Sequence, residues 1–240
     1  MTTICCAPNP LYTLAIDEAG TTTDRHFVGA AFVTPEPDLW RDRIERAIDY
    51  PHSLHFRKLG RKPDGRYRAT KTVLGLLRRS PDWYGHYIHI DRRLVDQGRF
   101  GNEDQIEFNY WMGQLIKRRT MRPGRCYQVI VAERERIRGD RYMPDLLQRQ
   151  LDSRSYFDDA PHVDLTLDYA RHDRVLQIAD LFGSATRQLH ERSGNPLKEE
   201  IAAEVAELVR PNGGIVRSHQ RLYGWDWRPN PMARVESRGA

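Results

Sequence analysis

The stretch Leu11-Tyr12-Thr13-Leu14-Ala15-Ile16-Asp17-Glu18-Ala19-Gly20 is β-type sequence that stops on two acids and a small turn. It predicts a strand over Leu11–Asp17 whose end presents carboxylates. A second apolar run, Phe27 to Val33, follows at hairpin distance and is closed by Pro35 and Pro37. Asp38 then reads as the cap of a helix carrying Leu39, Trp40, Ile44, Ala47 and Ile48 at helical spacing. Residues 51–65 read as loop, Ala69–Leu77 as a short helix and Tyr84–Asp91 as a strand. A longer helix capped by Asn102 comes next, with Ile106, Tyr110, Leu115 and Ile116 on its apolar face. Cys126–Ala132 is the most apolar strand and runs into Glu133. After it come a short helix from Pro144 to Asp152, a strand over Val163–Tyr169, a helix over Arg174–Glu191 opened by Asp173, and a helix over Leu197–Leu208. The tail beyond Pro211 is rich in Gly, Pro and aromatic residues and reads as a strap.

With residues 38–80 set aside as an insertion, the order is strand, strand, strand, helix, strand, helix, strand, helix. This is the element order of the RNase H-like fold. It implies an α/β protein with a mixed five-stranded sheet flanked by helices and a helical insertion after the second strand. At 240 residues, one domain over 1–210 with the strap 211–240 attached to it fits the length. The topology sets the carboxyl ends of the first and fourth strands side by side, faced by the last core helix. Asp17-Glu18, Glu133 and Asp180 occupy those three places.

The same pieces resemble the bacterial domain-of-unknown-function family 3800, whose members look like RNase H-fold proteins. Ile16-Asp17-Glu18-Ala19-Gly20 is similar to that family's Asp-Glu-Ser-Gly strand end. Val129 to Glu133 is similar to its apolar strand ending in acids, and Leu176-Gln177-Ile178-Ala179-Asp180-Leu181 to its Gln-Leu-Ala-Asp-Leu helix. His55-Phe56-Arg57-Lys58-Leu59 resembles its short basic segment before the third strand. Ala19 stands where Ser is usual, and Ala132 stands where an Asp often precedes the Glu, which leaves Glu133 as the acid of its strand.

Carboxylates gathered at one point repel one another, and a hard cation relieves the repulsion. Mg²⁺ or Mn²⁺ accepts oxygen ligands and keeps open water positions. Asp17 would bridge two ions, Glu133 would hold one and Asp180 the other, with Glu18, on the opposite strand face, as a helper. Such a site hydrolyses phosphodiesters. Each acid has a plainer explanation: Asp17-Glu18 as turn residues, Asp180 as a solvent-exposed helix position, Glu133 as a salt-bridged strand end. Asp91 is expected to pair with Arg92 or Arg93. Zinc held by His86, His89 and Asp91 fails, because His86 falls on the other face of its strand. Neither a Lys-Ser/Thr phosphate loop nor a Gly-x-Ser-x-Gly elbow occurs.

The formal charge of +5 rests on 38 basic residues, only five of them Lys. Arginine's planar fork suits phosphate oxygens, although GC-rich coding also favours it. Nine of the basic residues crowd into 57–79 against the single acid Asp64. His55, Arg57, Lys58, Arg61, Lys62, Arg66, Arg68 and Lys71, with Arg134 and Arg136 near Glu133, are the expected nucleic-acid contacts. A solvated charged face is the bland alternative. Three cysteines without repeated spacing suggest neither a disulfide framework nor a four-ligand zinc site. With no long apolar run or leader pattern, a cytoplasmic protein without membrane contact is expected. The leading expectation is therefore a metal-dependent nuclease. An inactive module of the same fold that binds nucleic acid or a protein, and a hydrolase of a small phosphorylated molecule, are the alternatives. Oligomeric state is open.

Overall fold

A computed structural model describes residues 11–20, 24–48, 54–100, 104–116, 125–132, 162–168, 173–211 and 215–229. Side-chain alternation in β1 (Leu11–Ala19) separates two cores. Ala15 joins the apolar cluster on one face, and Leu14 and Ile16 join the cluster on the other. The next strand, β2 (His26–Thr34), is buried at every position, so both faces of the sheet have to be covered.

β1 and β2 are antiparallel, with Asp17 opposite Ala30. β3 (Tyr84–Asp91) is antiparallel to β2. β4 (Cys126–Ala132) runs parallel to β1, and β5 (His162–Asp168) parallel to β4. The order β5-β4-β1-β2-β3 is the RNase H-like arrangement that the sequence predicts. One strand extends it: β6 (Leu222–Asp226), from the tail expected as a strap, adds parallel to β3 at the edge. Its five residues have a central Gly224, which weakens any strand signal. The Tyr87 ring packs over that glycine: a β-carbon would come within 2.3 Å of the Tyr87 hydroxyl, so any larger residue would displace the ring.

Among the described residues, five helices cover the faces: α1 (Pro37–Ala47), α2 (Gly65–Arg79), α3 (Asp104–Leu115), α4 (Arg174–Glu191) and α5 (Pro196–Glu207). Trp40 and Ile44 of α1, Val73 and Leu77 of α2, Ile178 and Phe182 of α4 and Ile201 of α5 share one cluster with Ala15, Ala30 and Phe32. Phe108, Trp111 and Met112 of α3 fill the other. The insertion after β2 therefore belongs to the main core. Its α1 starts at Pro37, a residue pre-set for the first helical turn. Asp38, expected as the cap, lies inside that turn and pairs with Arg41. The second inserted helix begins at Gly65, ahead of the expected Ala69, because the Asp64 carboxylate accepts the Tyr67 amide at 2.9 Å and caps it.

Asp173 has two partners. It caps α4 through the Val175 amide at 2.9 Å and receives the Arg41 guanidinium at 2.7 and 3.3 Å. The insertion is thus latched to the start of α4. Between α2 and α5, Lys71 bonds Glu200 and Glu204, and Arg78 bonds Glu204 and Glu207. Cys126 is disulfide-bonded, a link that the spacing of the three cysteines did not suggest. No described helix is long and apolar enough to cross a membrane. The short helix expected over Pro144–Asp152 lies outside the described residues.

Candidate carboxylate site

Asp17 lies on the face of β1 that α4 covers, with Ala15 and Ala19 on either side. The strand ends there because Gly20 takes φ 106°, a left-handed turn that only glycine adopts readily. A β-carbon at Gly20 would also come within 2.6 Å of the His26 carbonyl oxygen. Asp17 is 8% exposed, and the Glu18 amide donates to its Oδ1 at 2.7 Å. Burial pushes the Asp17 carboxyl well above its ordinary value of 3.8; the charges of Asp180 and Glu18 push the same way, and the Glu18 amide and Arg57 pull back.

Asp180 is also 8% exposed, which removes the solvent-exposed reading of this helix position. The reason is that α4 is covered around nearly its whole circumference, Gln177 and Ser184 included. Ser184 Oγ donates to Asp180 Oδ1 at 2.9 Å, and His55 Nδ1 lies 3.3 Å from Oδ2. His55 opens the 3₁₀ turn Phe56–Lys58, which is tied down from several sides. The Leu54 amide donates to Gln177 Oε1 at 3.3 Å, and Lys198 Nζ donates to the Arg57 carbonyl at 3.1 Å. Asn195, which caps α5, also bonds the carbonyls of Leu59 and Gly60. The similar-looking segments 55–59 and 176–181 therefore meet, with Gln177 holding the backbone of one and Asp180 receiving its histidine.

Glu18 projects to the other face of β1, as the alternation requires. Glu133, Arg134 and Arg136 lie outside the described residues. The register nevertheless bears on that strand. Ile16 lies opposite Val131, so one residue on, Ala132 stands beside Asp17, on the face that α4 covers. Asp168 of β5 is the register partner of Ala132, so Asp17, Ala132 and Asp168 form one row across three strands. Sequence reasoning passed over Asp168, whose only signal was its place at a strand end.

Arg57, Lys58, Arg61, Lys62 and Arg68 are exposed, and Arg66 is half-buried. Lys71 differs: its ammonium is shared by Glu200 and Glu204, so it serves the α2–α5 seam. Lys198, which sequence reasoning did not pick out, lies beside the turn through its bond to the Arg57 carbonyl, and burial and the neighbouring Arg57 lower its pKa. At the opposite end of the sheet, a cleft of about 490 Å³ is lined by Tyr12, Arg125, Arg210, Arg217, Arg221 and Tyr223 among others and includes neither Asp17 nor Asp180.

Among the described residues, the group of three metal-binding side chains with converging ligand atoms is His89, His190 and Asp226. The set considered from sequence breaks up. His86 stacks on Tyr223, and Asp91 pairs with Arg93 and Arg25, an arginine partner of the kind expected. The histidine cluster was missed because β6 and the end of α4 supply two of its members.

No protein-family model matches the chain, and no curated protein matches it. A search of solved structures finds similarity to a chain of "Structure of the PCNA:RNase HII complex from Archaeoglobus fulgidus", at 14% identity and a TM-score of 0.48, over 92% of this chain and 98% of that one. The class of protein, an RNase H-like α/β fold with an added edge strand, rests on the strand order and pairing.

Proposed function

We propose that the protein is a divalent-metal-dependent phosphodiesterase acting on nucleic acid, with Asp17 and Asp180 as the carboxylates at its centre. The observation that carries the reading is a pair of aspartates, each 8% exposed, one at the end of β1 and one on the helix that covers it, close enough for the charge of Asp180 to act on the Asp17 carboxyl. Two carboxylates placed so that ionising one opposes ionising the other form a site that a cation stabilises. The donors are oxygens, which suits Mg²⁺ or Mn²⁺. Asp17 and Asp180 would hold the ion, with Glu133 as the third acid. When bound, it would supply Lewis-acid stabilisation of phosphate charge and a water of lowered pKa.

The chain's own residues then have distinct work. Ser184 and His55 fix the two oxygens of Asp180. Arg57, exposed on the turn and close enough to act on Asp17, would meet a substrate phosphate at the carboxylates. Lys58, Arg61, Lys62, Arg66 and Arg68 extend that positive surface along the turn and α2, where they would track a phosphate backbone.

Ala132 favours a second reading, a binding module of the same fold without chemistry, because a methyl group occupies the register position beside Asp17. Calorimetric titration with Mn²⁺ separates the two. The nuclease binds the ion, and Asp17→Asn weakens that binding sharply. The module shows no binding at millimolar ion.

A further inference from the structure

Four side chains remote in sequence meet at the edge of the sheet where β3, β6 and the end of α4 come together. His89 Nδ1 lies 3.0 Å from Asp226 Oδ1. The His190 ring stacks on His89 with centroids 3.5 Å apart and planes 10° from parallel. His26 of β2 backs the pair, its Nδ1 lying 3.0 Å from His89 Nε2. One ligand atom from each of His89, His190 and Asp226 falls within 4.8 Å of the others.

We propose that His89, His190 and Asp226 form a zinc site, distinct from the Asp17–Asp180 centre, with the fourth position open to water and His26 as the outer partner of His89. Two imidazoles and one carboxylate suit Zn²⁺ better than Mg²⁺, which prefers oxygen. Zinc bonds of roughly 2.0–2.1 Å place tetrahedral ligand atoms about 3.3 Å apart. The His89–Asp226 separation is therefore already near an edge of that tetrahedron; the His190 ring, parallel to that of His89, has to turn about its exposed side-chain bonds to bring a nitrogen to the same ion. His190 sits ten positions beyond Asp180 on α4, a rise of about 15 Å, so one ion cannot serve both sites.

The hydrogen bonds fit both states. Without metal, His89 Nδ1–H donates to Asp226 and Nε2 accepts from His26. With zinc on Nδ1, the proton moves to Nε2 and is donated to His26 Nδ1, the outer-partner bond that orients a metal-bound histidine. The ion would clamp the five-residue edge strand β6 to β3 and α4.

The test uses Zn²⁺ alone with the full chain. The carrier is the Asp17→Asn/Asp180→Asn variant, so that its outcome is independent of the nuclease reading. One equivalent is expected to bind. His190→Ala and Asp226→Asn, both at exposed positions, should each weaken binding by more than about tenfold, the lower range for disturbing a metal site, with circular dichroism of the metal-free protein unchanged. Hydrogen exchange in 222–226 should slow on adding zinc to the parent and not to His190→Ala. No saturable binding, or equally tight binding by both variants, overturns the site.

Discussion

His55 Nδ1 lies 3.3 Å from Asp180 Oδ2, which brings the insertion between β2 and β3 to the carboxylate of the last core helix facing the sheet. The insertion is therefore part of the site as well as part of the core. Gln177, one turn before Asp180, fixes the same segment through the Leu54 amide. A single helical motif thus supplies both the anchor for a basic turn and the acid that the turn faces.

The raised pKa of Asp17 makes a stability prediction. A carboxyl with a folded-state value above its unfolded value favours folding below the unfolded value, near 3.8, and loses that contribution as pH rises through the folded value. Asp17→Asn removes the ionisation while its amide oxygen can still accept the Glu18 amide. In metal-free buffer the variant should melt several degrees above the parent at neutral pH, since each kcal/mol is worth about 2–4 °C at this size. The advantage should vanish below pH 4. Differential scanning calorimetry at the two pH values checks it.

Gln177→Leu keeps the volume but leaves the buried Leu54 amide without its acceptor. The cost is about 1–3 kcal/mol, seen as a lower denaturant midpoint. Faster hydrogen exchange at Leu54 should accompany it, which a general loss of packing would not single out.

Gly20→Ala meets two obstacles, the left-handed φ of 106° and the His26 carbonyl at 2.6 Å. Backbone strain alone costs about 1–3 kcal/mol. The unfolding free energy read from the urea midpoint should fall by at least that much with an unchanged slope, because the surface exposed on unfolding is the same.

The basic residues should divide by their partners. Arg57→Ala and Arg61→Ala should each reduce the slope of log affinity against log salt by about 0.7–0.9, the share of one phosphate contact. Lys71→Ala should leave that slope alone, because its charge is spent on Glu200 and Glu204. Fluorescence anisotropy with a labelled oligonucleotide across a salt series reads both.

Much of the layout is legible in the sequence because it depends on local signals. The acid-ended strand Leu11–Asp17, the turn at Gly20 and the cap at Asp173 each have a residue-level cause that survives in the structure. What is hidden depends on partners distant in sequence. The burial of Asp180 follows from its neighbours, His55 of the insertion and Asp17 of β1, which no periodicity within α4 reveals. The row Asp17, Ala132, Asp168 is a matter of register between strands. β6 is short and centred on glycine, so His89 showed no link to Asp226.

Cleavage of labelled DNA and RNA in Mn²⁺ is the direct test of chemistry at Asp17 and Asp180. The unaltered protein should cleave at least one of these substrates, with activity lost on chelation and reduced at least about a hundredfold, roughly 2.7 kcal/mol of barrier, in Asp17→Asn and in Asp180→Asn. Undiminished cleavage by either variant, or no cleavage of any substrate by the unaltered protein in Mn²⁺ or Mg²⁺, would contradict it.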